Sequence, residues 1–165
     1  MRATAHVASS CAEQRWRCMN QAAPNTKEHR PWAAPTISAY AAFDAGTESI
    51  AAARTFARDF LTQVQSHHGL PVSSRVLGTG QLVVSELVTN ACKYAPGPCL
   101  VDLEIVGAML VITVWDTDPH LPDARPADPE RIGRHGLEIV LAVCDDFDVQ
   151  REPVGKRIKV EIPLA

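Results

Sequence analysis

At Pro96-Gly97-Pro98 the chain changes its hydrophobic period, and this switch constrains the fold more than any other feature. Before it, apolar residues recur at helical spacing. Ala53, Phe56, Ala57, Phe60, Leu61 and Val64 form one stripe, and Val84, Leu87, Val88, Ala91 and Ala95 form a second. Residues three and four apart share a helix face, so two amphipathic helices are expected. The first starts near Thr47, a candidate N-cap after the turn Asp44-Ala45-Gly46, and ends at His68-Gly69 and Pro71. The second runs from about Arg75 to Tyr94 and stops at the proline pair. Beyond the switch, alternation takes over. Val101, Leu103 and Ile105 alternate with Asp102 and Glu104, Gly107-Ala108 reads as a hairpin turn, and Met109 to Trp115 is the returning strand.

The remaining segments extend this pattern on both sides. Thr36 to Phe43 can form a strand ahead of the helices. Asp116 to His135 carries Pro119, Pro122, Pro126 and Pro129, several charges and no apolar period. A loop of that length inside a compact domain is commonly a functional lid. Gly136 to Cys144 reads as a buried apolar helix. Phe147 to Arg151 and Arg157 to Ile162 pair across Pro153-Val154-Gly155, with Ile158, Val160 and Ile162 facing inward. The order predicts an α+β fold, a two-layer α/β sandwich with helices on one face of a mostly antiparallel sheet. Residues 1–34 have no sustained period and are punctuated by Pro24 and Pro31, with Pro35 just beyond. They are expected to be a disordered tail, leaving 35–165 as the folded domain.

Bulk properties exclude several classes. The net charge is -3 and the sequence pI about 6.0, with no basic balance of the kind nucleic-acid binding demands. No apolar run approaches the roughly 18 residues of a membrane span. Met1 to Asn20 lacks the continuous apolar core of a signal peptide, so a cytoplasmic location is expected. The cysteines are Cys11, Cys18, Cys92, Cys99 and Cys144, an odd set at irregular spacing, which argues against a disulfide framework. Cys11, Cys18 and His29 form no CxxC-type zinc pattern.

Three segments carry residue types suited to chemistry. On a helix that turns about 100° per residue, Glu86, Asn90 and Lys93 fall within about 60° of one another, away from the apolar stripe. Carboxylate and amide oxygens suit Mg²⁺, and an ammonium one turn on suits phosphate. The same residues also make an ordinary solvated face. Asp116 follows the apolar strand, where its carboxylate can accept a hydrogen bond from an exocyclic amine such as that of adenine; Asp and Pro there also make an ordinary turn. Gly133-Arg134-His135-Gly136-Leu137 joins the loop to a helix. Free N–H groups at a helix start bind phosphate and Arg134 adds a charged fork, though glycines also make a flexible connection.

Taken in order, these segments resemble the GHKL ATPase family over Thr36 to Leu164, and most of all its small anti-sigma-factor serine kinases. Glu86 to Ala95 (ELVTNACKYA) looks like the N box. The resemblance implies that Asn90 binds Mg²⁺, that Glu86 acts as general base or orients the attacking group, and that Lys93 lies near the phosphates. Asp116 looks like the adenine-reading aspartate of the first glycine box. Gly133 to Leu137 (GRHGL) looks like the second, with the ATP lid between them. Gly155-Lys156 before the last strand also fits the small kinases. The chain departs from the family in four places. Asp118, followed by Pro119, stands where the first box has glycine, which sets a carboxylate beside a polyphosphate. The second box has one additional residue. Arg157 stands close to the place of a threonine common in relatives, and Tyr94 stands where many relatives have histidine.

The function this implies is a regulatory protein serine/threonine kinase of the anti-sigma type, which takes ATP and Mg²⁺ and phosphorylates an antagonist protein. Such proteins also sequester a sigma factor, commonly as dimers. The alternatives are an ATP-sensing or nucleotide-free docking module, and a simple ATPase. Neither nucleic acid nor a membrane is expected as a partner. His67, His68, His120 and His135 read as solvated side chains, and Arg54 and Arg58 as an exposed pair on the first helix.

Overall fold

Eight elements occupy the residues that the computed structural model describes, 37–121 and 135–165. They are β1 (Ile37–Phe43), α1 (Thr47–His68), α2 (Ser74–Tyr94), β2 (Cys99–Val106), β3 (Met109–Asp116), α3 (His135–Val143), β4 (Asp146–Arg151) and β5 (Lys156–Pro163). The readings made for the N-terminal tail, Cys11, Cys18 and His29, and for Gly133 and Arg134, lie outside the described residues.

The strands form one five-stranded sheet in the order β1-β2-β3-β5-β4, and every neighbouring pair is antiparallel. Alternate residues of a strand face opposite sides. The register therefore assembles a row of Ala39, Leu103, Ile112, Val160 and Phe147 across one face, with Ala41, Val101, Val114, Ile158 and Val149 beside it. Onto these rows α1 sets Ala53, Ala57, Phe60, Leu61 and Val64, and α2 sets Val76, Val83, Val84, Leu87, Val88 and Ala91, all buried. The opposite face carries Tyr40, Asp102, Thr113, Lys159 and Asp148 in a row. This is a two-layer sandwich whose core lies between one sheet face and the helices.

Helix ends follow local chemistry. Ser73 caps α2, its Oγ accepting from Val76 N at 3.3 Å. Ala95 N closes the last turn on Ala91 O at 2.8 Å, and the proline pair stops the helix there. Gly69 ends α1 in the left-handed region, φ 65°. The cap of α1 is Gly46 rather than Thr47: Gly46 O accepts from Ser49 N at 3.2 Å, and Thr47 is already helical.

Two further expectations are corrected. Strand β3 runs one residue further than the apolar pattern, because Asp116 pairs with Lys156 in the ladder. Helix α3 is not buried as a whole. Only Val140 is fully covered, Leu137 and Val143 pack against the core, and Ile139 and Leu141 are exposed. A short helix packed along one stripe leaves its other sides to solvent, however apolar they are. None of the described helices is long and apolar enough to cross a membrane. Cys92, Cys99 and Cys144 are free thiols.

Candidate functional site

Helix α2 carries Glu86, Asn90 and Lys93 without interruption, so the shared face expected from their spacing exists. Glu86 and Asn90 are half-buried, and Lys93 is exposed. The start of α3 lies against this face. A Cβ built on Gly136 would collide with Glu86 Oε2 and approach Glu86 Cδ to 3.2 Å. Glycine at 136 therefore gives the Glu86 carboxylate its room, and one residue of the GRHGL segment touches the helix face directly.

Asp116, at the tip of β3, sits in a second cluster. Lys156 opens β5 directly across the ladder, and its Nζ lies 3.0 Å from Asp116 Oδ1 and 3.0 Å from Asp118 Oδ2. It also donates to Asp118 O at 3.3 Å. Asp118 N donates to Asp116 Oδ1 at 2.9 Å. On the far side of Asp118, Oδ1 accepts from His120 N at 3.1 Å and lies 2.7 Å from His120 Nδ1. Asp116, Asp118 and Lys156 are all buried. Gly155 makes this packing achievable. Its φ is 90°, and a Cβ there would collide with the carbonyl of Asp116 and stand 2.7 Å from Thr117 Cα. An L side chain fits neither the conformation nor the space.

The two carboxyls of the cluster shift in opposite directions. Burial pushes Asp116 up, and the hydrogen bond and charge of Lys156 only partly pull it back. For Asp118 burial also opposes ionisation, but hydrogen bonds from His120 and Lys156 prevail and bring it down to about 2. The carboxylate at 118 is thus held by a lysine and a histidine. This answers the concern raised by its replacing a glycine: both of its oxygens are engaged within the protein.

One hydrogen bond joins the segment just past α2 to the residue that follows Asp116. Gly97 N, just past the end of α2, donates to Thr117 Oγ1 at 3.1 Å. Strand parity also decides between Lys156 and Arg157. Lys156 pairs with Asp116 on the helix-covered face, whereas Arg157 pairs with Trp115 on the other face and lies 3.6 Å from Asp148 and 3.8 Å from Glu152. The residue beside Asp116 is therefore Lys156. Sequence reasoning noted Lys156 only through a resemblance and read His120 as solvated. The available signal was parity: Ile158, Val160 and Ile162 face inward, so Lys156 does too, and an inward lysine needs an anionic partner.

Residues 46–162 match the family described as the histidine kinase-like ATPase domain. The chain belongs to this family. The match spans α1 to β5 and so includes Glu86, Asn90, Asp116 and Gly136. A histidine kinase-like ATPase domain is an ATP-binding domain of kinase or ATPase type. Two solved structures are similar to the chain. One is a histidine kinase domain from the Erythrobacter litoralis EL346 blue-light activated histidine kinase, at 20% identity and a TM-score of 0.43, over 68% of this chain and 61% of that one. The other is the Acinetobacter baumannii histidine kinase AdeS, at 15% identity and a TM-score of 0.42, over 76% of this chain and 68% of that one. The chain thus spans less than two thirds of the first structure's length. Family membership rests on the match over residues 46–162. No curated protein matches the chain.

Proposed function

We propose that this domain binds Mg-ATP and acts as a regulatory serine/threonine kinase of the anti-sigma-factor type, with an antagonist protein as its phosphoryl acceptor. The observation that carries this reading is the contact of Gly136 with Glu86 on the helix face that also bears Asn90 and Lys93. The end of the second glycine segment and the carboxylate suited to proton transfer meet there. Asp116 supplies the other end of the ligand: its Oδ2 receives no hydrogen bond from a described residue. That oxygen suits an exocyclic amino donor.

The residues present fit a magnesium nucleotide. Mg²⁺ keeps several waters and takes few protein oxygens, so Asn90 suffices as its protein ligand and leaves the Glu86 carboxylate, one turn away, for proton transfer. When bound, the ion offsets phosphate charge. Lys93 adds a cation from the same face, Arg134 adds another from the loop segment, and Gly133, Gly136 and Leu137 complete the phosphate-side segment. In the transfer, the acceptor hydroxyl oxygen forms a bond to the γ-phosphorus while the bond to the β–γ bridging oxygen breaks. ADP leaves with that electron pair, and the hydroxyl proton passes to the Glu86 carboxylate. Such transfer rests on positioning and charge stabilisation. The proposed partners are the antagonist protein, a sigma factor and a second copy of the chain.

Calorimetric titration tests the nucleotide reading. Saturable, Mg-dependent ATP binding is expected, weakened about tenfold or more in Asn90→Ala, as befits loss of one charge-assisted contact. No binding at millimolar ATP would overturn the proposal. A second reading has its own support: Leu82, Ile139 and Leu141 are 38%, 39% and 46% exposed. These apolar helix residues suit a docking module that holds a partner without phosphorylating it. Label from γ-labelled ATP appearing on the antagonist favours the kinase; partner binding without label favours the module.

A further inference from the structure

The cluster around Lys156 sets one ammonium against two carboxylates, Asp116, Asp118 and Lys156 all being buried, with the His120 ring on the far oxygen of Asp118. Three of the four carboxylate oxygens are engaged: Asp116 Oδ1 by Lys156 and Asp118 N, Asp118 Oδ2 by Lys156, and Asp118 Oδ1 by His120. The fourth, Asp116 Oδ2, receives no hydrogen bond from a described residue and is not among the buried side-chain atoms that lack a partner, so it is an acceptor open to a donor from outside the cluster.

We propose that Lys156 is the positioning residue for base recognition: by gripping Asp116 Oδ1 and Asp118 Oδ2 together, it fixes the Asp116 carboxylate so that Oδ2 alone faces the ligand and selects a base with an exocyclic amino group. Asp118 belongs to this clamp and not to the phosphate site. Gly155 mounts it, because its close approach to the Asp116–Thr117 backbone sets Lys156 directly across from Asp116. The ladder pairing of Asp116 with Lys156 fixes the backbone distance, so the ion pair has little freedom to drift. The inference rests on the nucleotide reading above and extends it to the residue that aims the base-reading carboxylate.

The test compares ATP with inosine triphosphate, which has the same sugar and triphosphate but an oxo group in place of the exocyclic amine. Calorimetry on the full chain is expected to show ATP preferred by about tenfold or more, as for one hydrogen bond to a charged group. In Lys156→Met the preference should fall to about threefold or less, with inosine triphosphate affinity nearly unchanged. A purely structural role would instead weaken both nucleotides alike. Because Lys156→Met leaves two buried carboxylates uncompensated, Lys156→Met/Asp118→Asn, with one charge fewer, is read beside it by circular dichroism and the same titrations. Lost discrimination in a folded variant supports the clamp. Retained discrimination in a folded variant, equal affinity of the wild type for both nucleotides, or failure of both variants to fold overturns it. A wild type that binds neither nucleotide would overturn the nucleotide reading itself.

Discussion

At the scale of single residues, two positions act by the space and charge they leave to others. Gly136 has no side chain, and the atom it spares is the end of Glu86, a flexible group. Gly136→Ala therefore displaces the carboxylate and leaves the backbone in place. Phosphoryl transfer should fall by about tenfold to a hundredfold, the usual cost of an ångström's misplacement. Thermal unfolding should stay level or rise slightly, since alanine is favoured over glycine in a helix by about 0.5–1 kcal/mol. Unchanged transfer would mean that Glu86 has no part in it. Asp118 acts through charge. Its folded pKa, about 2, lies below the ordinary 3.8, so its ionised form stabilises the fold above pH 3.8 and that contribution is lost as pH falls towards 2. Asp116, shifted up, has the opposite sign and does not add to this. Chemical denaturation at stepped pH should show the wild type losing stability across that window, with a shallower loss in Asp118→Asn. Parallel curves would refute the assignment.

At the scale of elements, the two edges of the sheet differ. Strand β4 carries Asp146, Asp148 and Arg151, charges that discourage pairing with another chain. Strand β1 reads ISAYAAF, with no charge and no proline, and among the described residues no strand lies beyond it. An edge of seven residues without charge or proline is the seam proposed for the second copy. Tyr40 is exposed on the face away from the helices, so Tyr40→Lys would set like charges close together across that seam. Sedimentation velocity should find the wild type dimeric and Tyr40→Lys monomeric; a monomeric wild type would remove the seam. The same elements show what the sequence made legible. The stripes of α1 and α2 and the alternation of β2 and β5 were readable because each element is covered on one side only. Helix α3 was not, because His135–Val143 is apolar nearly throughout and offers no period to tell a covered side from an open one. Glu86, Asn90 and Asp116 were readable as motif residues. The contact of Gly136 with Glu86 and the bond from Gly97 to Thr117 were not, since both join segments that only the tertiary fold brings together.

At the scale of the whole molecule, the sheet order puts β3 in the middle, flanked by β2 and β5 and covered by α2. Among the described residues, Asn90, Lys93 and Gly136, proposed for the phosphate side, sit on helices, while Asp116, proposed to read the base, sits at the tip of this central strand. Fluctuations that loosen a structure begin where few buried contacts hold it, and α3, with one fully covered residue, is such a place. The β2–β3–β5 ladder, central and lined by fully buried side chains, is of the kind that opens last. The hydrogen bond from Gly97 to Thr117 ties the end of α2 to that ladder, next to Asp116. The carboxylate thus has the durability of the core, while the residues proposed for transfer and docking share a more yielding border. On the proposed nucleotide reading, a partly frayed molecule would still hold the base while its phosphate side loosened.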